Sequence, residues 1–117
     1  MFSRTAFIGF LLLLSPSVYA CNCVTYSIKA LHMVHLKLKT VPNIAVNDWF
    51  KHPGAYSRGV VNIKDINNCQ VMLHEFIHHI QWEAYGDALD IHEWQRREMQ
   101  AAQITMIAAG EMADCGV

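Results

Sequence analysis

The residues in this chain best suited to chemistry lie together in the pentapeptide His74-Glu75-Phe76-Ile77-His78. If this stretch is helical, His74 and His78 lie on one face, because residues four apart stack one above the other. Their two imidazoles can then bind one metal ion. Glu75 would lie about 100° round the helix, where its carboxylate can reach a water on that ion without binding the ion itself. Zinc-dependent hydrolysis requires this division of roles.

The residues around the pentapeptide favour a buried helix over an exposed one, since Val71, Met72, Leu73 and Ile80 flank it. A competing interpretation is a core helix with two satisfied histidines and an exposed Glu75. We favour the metal interpretation, because the pentapeptide combines ligand spacing with an acid at the position of a general base. Zinc suits two histidines and a carboxylate best, although cobalt or nickel could replace it under laboratory loading.

The start of the chain has the pattern of a secretory leader rather than of a folded domain. A short basic start precedes an apolar run at 6–14, and Val18-Tyr19-Ala20 ends in the small-x-small pattern of a signal-peptidase site. The run is too short to span a bilayer, which needs about twenty residues. We predict a signal peptide at 1–20 and a mature domain at 21–117 that is exported to the periplasm or secreted. The alternatives are an N-terminal core helix and a lipoprotein anchored at Cys21.

Charge and cysteine content narrow the class of protein. Once Arg4 is set aside with the leader, the mature chain has 8 Lys and Arg against 10 Asp and Glu, which gives no electrostatic footprint for nucleic acid. All four cysteines lie in the mature part: Cys21, Cys23, Cys69 and Cys115. In a short exported chain they predict two disulfides, with three pairings left open. A Cys-His zinc knuckle is the rival, but Cys21 and Cys23 are too closely spaced for it.

Two periodicities compete between residues 25 and 39. Apolar residues at helical spacing favour a helix from about residue 25, whereas Val34, Leu36 and Leu38 alternate with polar residues as in a strand. We predict the helix. Two short strands follow, at 43–46 and 59–64. The turn signal Pro53-Gly54 between them predicts that they pair as a β-hairpin.

Capping residues predict the two helices that complete the domain. Asn67 begins a capping-box pattern before the motif helix, which we place at about 68–85 with Gly86 as its stop. Asp90 begins a second such pattern and opens a last helix that runs to about Ala113. The predicted fold class is therefore α+β, with an N-terminal helix, a short β-hairpin or sheet, the motif helix and a C-terminal helix.

A catalytic zinc needs a third protein ligand and an open position for water. The metzincin pattern would require Gly at 81 and His at 84, and the chain has Gln81 and Ala84. Glu98 is our choice, because it lies twenty residues past His78 on a helix that a short turn folds back towards the histidines. Glu93 competes with it but begins that helix and is already a capping partner. The acidic candidates downstream of the motif are Asp87, Asp90, Glu93, Glu98, Glu111 and Asp114.

The pattern His74-Glu75-x-x-His78 with Glu98 twenty residues on resembles the gluzincin zinc metallopeptidases, the thermolysin-like group, and most of all their minimal members. The resemblance covers nearly the whole mature domain. It implies a small zincin-like domain in which His74, His78 and Glu98 hold Zn²⁺ and Glu75 is the general base, with a peptide or protein as substrate. It also implies that the strand before the motif helix, Val60 to Ile63, binds extended peptide by backbone pairing.

The chain departs from this family in two respects. Larger gluzincins have an Asp one turn after the glutamate ligand to orient the first histidine, and here Ala102 stands there; Gln103 or a backbone carbonyl could serve instead. They also stabilise the oxyanion with a His and a Tyr from a C-terminal domain for which residues 21–117 leave no room. Gln81, one turn past His78, could orient a ligand or substrate. The substitutes for the oxyanion pair within the chain are His79, Tyr85, His92 and Tyr56.

Two functions follow from these residues. The first is an exported zinc-dependent metallopeptidase in which Glu75 takes the proton of a zinc-bound water. The second is a catalytically inactive, zinc-stabilised exported binding module of the same fold. Glu75 favours the enzyme, because structural zinc needs only the ligands. A metal-free scaffold held by two disulfides is a third interpretation. We expect no nucleic-acid partner and no transmembrane segment in the mature chain.

Overall fold

The computed structural model describes residues 22–112. The predicted leader at 1–20, the lipidation site at Cys21, and the predicted roles of Asp114 and Cys115 lie outside these residues. Between residues 22 and 112, no helix combines the length and apolarity needed to cross a membrane.

The first helix, α1, spans Cys23–Met33 and begins where the Asn22 side chain accepts a hydrogen bond from the Thr25 amide at 2.8 Å. The predicted helix is confirmed, and the competing strand at 34–38 is not formed. His35 ends α1 by taking a left-handed conformation with φ of 63°. The predicted disulfide content is confirmed in part, because Cys23 is bonded to Cys69.

The sheet has three short strands: β1 at Asn43–Val46, β2 at Gly54–Ser57 and β3 at Val60–Ile63. Their order is β1-β3-β2, with β1 parallel and β2 antiparallel to β3. The predicted hairpin between 43–46 and 59–64 is therefore wrong, since these segments pair in parallel. β2 begins at Gly54, which was predicted as part of the turn, and its other residues were assigned to no strand; it forms the hairpin with β3.

The turn of that hairpin explains why β2 is hard to see in the sequence. Arg58 and Gly59 have φ of 42° and 89°, as a two-residue turn that follows the twist of the strands requires. Asn-Gly or Asp-Gly usually marks such a turn, whereas arginine rarely takes a positive φ. The Pro53-Gly54 signal instead lies at the start of β2.

Two long helices complete the fold: α2 at Cys69–Tyr85 and α3 at Ile91–Glu111. The cap of α2 is Asn68, which accepts from the Val71 amide, so the predicted cap at Asn67 is displaced by one residue. Gly86 ends α2 with φ of 74°, as predicted. The predicted cap of α3 is confirmed, because Asp90 accepts from the Glu93 amide at 2.9 Å.

The architecture is α+β, as predicted, with α2 packed between the sheet, α1 and α3. The apolar face of α2 supplies the centre of the core, and only small side chains of α3 are fully buried, which lets α3 lie close to its neighbours. The remaining face of α2 carries the motif side chains towards a cleft between β2 and α3. The fully buried core side chains include Leu31, Val61, Ile63, Met72, Leu73, Phe76, Ile77, Ala101 and Ala108.

Candidate metal centre

Three side chains from α2 and α3 converge on one point in the cleft. His74 and His78 lie one turn apart, and Glu98 faces both from the antiparallel helix α3. Its Oε1 is 3.1 Å from His74 Nε2, and its Oε2 is 2.8 Å from His78 Nε2. One ligand atom from each residue can be chosen so that all three lie within 4.8 Å of one another. This group could hold a metal ion.

Gln81 determines which nitrogen of His78 carries the proton. The Gln81 Nε2 donates to the Arg97 carbonyl oxygen at 3.0 Å and to Gln100 Oε1 at 2.9 Å, so Gln81 Oε1 is the atom that faces His78. His78 Nδ1 lies 2.7 Å from that oxygen and must donate to it, because an amide oxygen only accepts. Neutral His78 therefore keeps a lone pair on Nε2.

The lone pair of His78 Nε2 has no hydrogen-bond partner among the described residues, although the atom is buried. Glu98 Oε2 is 2.8 Å away, but its direction of approach is not that of a hydrogen bond. A nitrogen lone pair and a carboxylate oxygen held this close repel each other unless a proton or a metal ion is bound there. The donor set of two imidazoles and one carboxylate therefore fits a divalent metal such as zinc.

Glu75 is buried rather than exposed, so the interpretation of an exposed glutamate is wrong. Its side chain lies under β2, and the residue is only 6% exposed. A Cβ on Gly54 would lie 3.2 Å from both Glu75 Cγ and Glu75 Oε2, which shows how closely the strand passes over this carboxyl group. Burial, and after it the negative charge of Glu98, raises the pKa of Glu75 to about 7. A carboxyl group tuned in this way can accept and return a proton near neutral pH.

The remaining acidic candidates have other partners. Glu93 accepts from the Leu89 amide and is bonded to Arg97, and Asp87 is paired with Arg58. Asp90 caps α3. Glu111 is exposed at the last turn of that helix and is not part of the cluster.

The side chains considered for oxyanion stabilisation have other uses in the structure. The Tyr56 hydroxyl accepts from the Gly59 amide at 2.6 Å and is 2.6 Å from His79 Nδ1. His79 Nε2 is 2.9 Å from the Thr40 carbonyl oxygen and must donate to it, so the Tyr56 proton is directed to His79 Nδ1. This pair therefore holds β2 to α2. Tyr85 and His92 are exposed, and Tyr85 lies against Arg97.

The three groups converge on an open cleft of about 910 Å³ between β2 and α3, with α2 as its floor. β3 lies in the middle of the sheet and is paired on both sides, so the prediction that it binds extended peptide is wrong. The edge strands of the described sheet are β1 and β2, and of these β2 lines the cleft. Ala102 also lines the cleft, and the exposed Gln103 forms no bond to His74 within the described part of the chain.

Sequence reasoning missed three features of this site. It did not identify the close approach of Gly54, the ion pair of Arg58 with Asp87, or the two tryptophans Trp82 and Trp94 that line the cleft. Gln81 was predicted to orient a ligand or substrate, and its spacing of three residues from His78 is the signal that points to His78 as its partner.

Comparison with known proteins adds no relative: no protein-family model matches the chain, and neither the curated proteins nor the solved structures contain a match.

Proposed function

We propose that this protein is a zinc-dependent metallopeptidase of the gluzincin kind. The observation that carries the proposal is the contact of His78 Nε2 with Glu98 Oε2 at 2.8 Å, where Gln81 leaves a lone pair on the nitrogen. Such a contact is favourable when a proton or a metal ion is bound there, and the approach of His74 to the same carboxylate favours the metal ion. A buried acid of raised pKa beside it, Glu75, is what a hydrolase needs and a structural zinc site does not.

His74, His78 and Glu98 would hold the metal. Bound there, a zinc ion supplies Lewis acidity, which polarises a carbonyl and lowers the pKa of a water. Glu75 receives one proton from the attacking water at its carboxylate and passes it to the leaving nitrogen. The peptide C–N bond breaks, the water oxygen becomes part of the new carboxyl group, and the nitrogen leaves as an amine.

Peptide is the substrate class that the cleft favours. β2 offers its free backbone edge along the cleft, and an extended chain can pair with it as an additional strand. β2 packs on α2, the helix that carries Glu75 and both histidines, so a peptide paired with β2 would pass close to the proposed metal ligands.

We also propose that the protein acts outside the cytoplasm. The Cys23–Cys69 disulfide supports export, because such bonds persist in oxidising compartments. The leader predicted at 1–20 supplies the route.

Metal binding tests the first half of the proposal. Purified protein is expected to bind one zinc per chain by elemental analysis, and His74→Ala or Glu98→Gln should abolish binding. The matched controls are His92→Ala and Glu111→Gln, which remove the same groups from exposed positions of α3. Equal zinc content in the ligand variants and the controls would refute the site.

Peptide cleavage tests the second half. The zinc-loaded protein is incubated with a diverse, unstructured peptide mixture, and the products are identified by mass spectrometry. Glu75→Gln is expected to retain zinc and to lose cleavage, because the amide cannot accept the proton. Cleavage that survives this substitution would contradict the role of Glu75. Zinc without cleavage in the unmutated protein would favour a binding module instead.

A further inference from the structure

One end of the cleft is bridged by a solvent-exposed ion pair that joins its two sides. Arg58 in the β2–β3 turn is paired with Asp87 in the loop between α2 and α3, and both residues line the cleft. Trp82, one turn past His78, lies beneath the turn, 3.9 Å from where a Cβ on Gly59 would be, and its indole also donates to Asp87. The turn, the helix end and the loop therefore meet at this end.

The loop that carries Asp87 is held in place from α3. Arg97 donates to the Gly86 carbonyl oxygen at 2.6 Å and is bonded to Glu93 at 2.5 Å. The opposite end of the cleft, near Gln70 and Thr105, differs, since no ion pair among residues 22–112 joins the sheet to the helices there. The cleft is thus bridged at one end only.

The position of Glu75 indicates which part of a peptide would occupy the end bridged by the ion pair. Glu75 lies beside Gly54, the first residue of β2, on the side away from the ion pair. Since Glu75 must pass its proton to the leaving amine, the C-terminal product lies towards Gly54 and the N-terminal product towards Arg58. Antiparallel pairing with β2, the more stable arrangement, gives the same direction.

The distance from His78 to the bridged end follows from the helix beneath the cleft. From His78 to its last residue, Tyr85, α2 rises about 10 Å. An extended peptide covers that distance in about three residues.

We propose that the Arg58–Asp87 ion pair limits the substrate to about three residues before the cleaved bond. The protein would then remove short segments from the N-termini of peptides instead of cutting them internally. This inference rests on the proposed peptidase function.

The test maps where the zinc-loaded protein cuts a diverse peptide mixture. We expect cuts after the first, second or third residue to outnumber deeper cuts by about two- to fivefold, since an exposed ion pair is a weak barrier. Arg58→Asn removes the guanidinium but keeps a residue that suits the turn, and should raise the share of deeper cuts several-fold. Asp87→Asn, which leaves the turn unchanged, should do the same. The control is Arg96→Ala, an exposed arginine outside the cleft, which should keep the original distribution.

The outcomes separate the two proposals. Deep cuts as frequent as terminal cuts in the unmutated protein, or an unchanged distribution in both variants, would overturn the limit set by the ion pair while leaving the peptidase intact. The absence of any cut by the unmutated protein and both variants would overturn the peptidase proposal and this inference with it.

Discussion

The closest approach between β2 and α2 makes Gly54→Ala the most informative single substitution. Gly54 has an ordinary backbone conformation, so alanine adds no backbone strain and the effect is steric. The new Cβ would lie 2.6 Å from Val71 Cγ1 and 3.2 Å from Glu75 Oε2, distances at which atoms must move apart. Overpacking of this kind lowers the free energy of unfolding by about 1–3 kcal/mol. Alanine also reduces the entropy of the unfolded chain, which raises the free energy of unfolding by up to about 1 kcal/mol. We therefore expect the free energy of unfolding, measured by urea denaturation, to fall by about 1–2 kcal/mol.

Two further variants decide whether the clash is the cause. Gly110→Ala places a methyl group in open space on α3 and should stabilise the protein by up to about 1 kcal/mol. In a Val71→Ala background the cost of Gly54→Ala should fall by about 1 kcal/mol, because the nearest atom has been removed. If Gly54→Ala is as stable as the unmutated protein, or if Val71→Ala brings no relief, the described packing of β2 on α2 is refuted.

The same substitution has a functional consequence. It pushes on the Glu75 carboxyl group and touches none of the three proposed metal ligands. Zinc affinity should therefore stay unchanged while peptide cleavage falls. A parallel loss of zinc would show that the strand acts on the ligands instead.

Three other predictions concern the bonds that hold α2 in place. Removing the Cys23–Cys69 disulfide, whose cysteines are 46 residues apart, should cost about 4 kcal/mol in urea denaturation, because the unfolded chain gains freedom; a loss below about 1 kcal/mol would contradict it. Although burial by itself raises the pKa of Glu83, hydrogen bonds from the Lys39 amide and from the amide and hydroxyl of Thr40 hold it below its ordinary value of 4.5. The stabilisation by Glu83 is therefore present above pH 4.5 and is lost as the pH falls below that value. Glu83→Gln should lower the free energy of unfolding at pH 7, and this difference should shrink as the pH falls to 3. A difference that stays the same would argue against this role. Gln81→Ala should weaken zinc binding by about 10- to 100-fold in a chelator competition assay, while the exposed Gln103→Ala should not; equal affinities would exclude Gln81 as the residue that orients His78.

The helices were predictable because their signals are local. Asp90 and Gly86 act within one turn of the helix they begin or end, so short-range patterns were sufficient. The convergence of Glu98 on the histidines follows from two helices and a short turn, which the sequence also displays. The order of the strands was not predictable, because pairing β1 in parallel with β3 requires knowing that β2 lies on the other side.

The electrostatic details of the site depend on long-range packing, and no pattern in the sequence records them. Glu75 is buried because Gly54 passes over it, and the tautomer of His78 depends on Gln81, whose amide is held from α3. Ala102 removes the partner that the gluzincin pattern would supply for the first histidine. In this chain the partner that the structure identifies is Gln81, and it orients the second histidine, His78.

Adjacent histidines give α2 two different roles. His78 lines the cleft, whereas His79, one residue on, lies under its wall and bonds to Tyr56 and Thr40. Successive helical residues lie about 100° apart, so one turn can hold a ligand and the bonds that fix the wall of the same cleft. A domain this small has little core with which to hold a site rigid, and metal ligands must stay within about 0.5 Å of their working geometry. Binding β2 and the Thr40 loop to the ligand-bearing helix through His79 meets that need with a buried polar network.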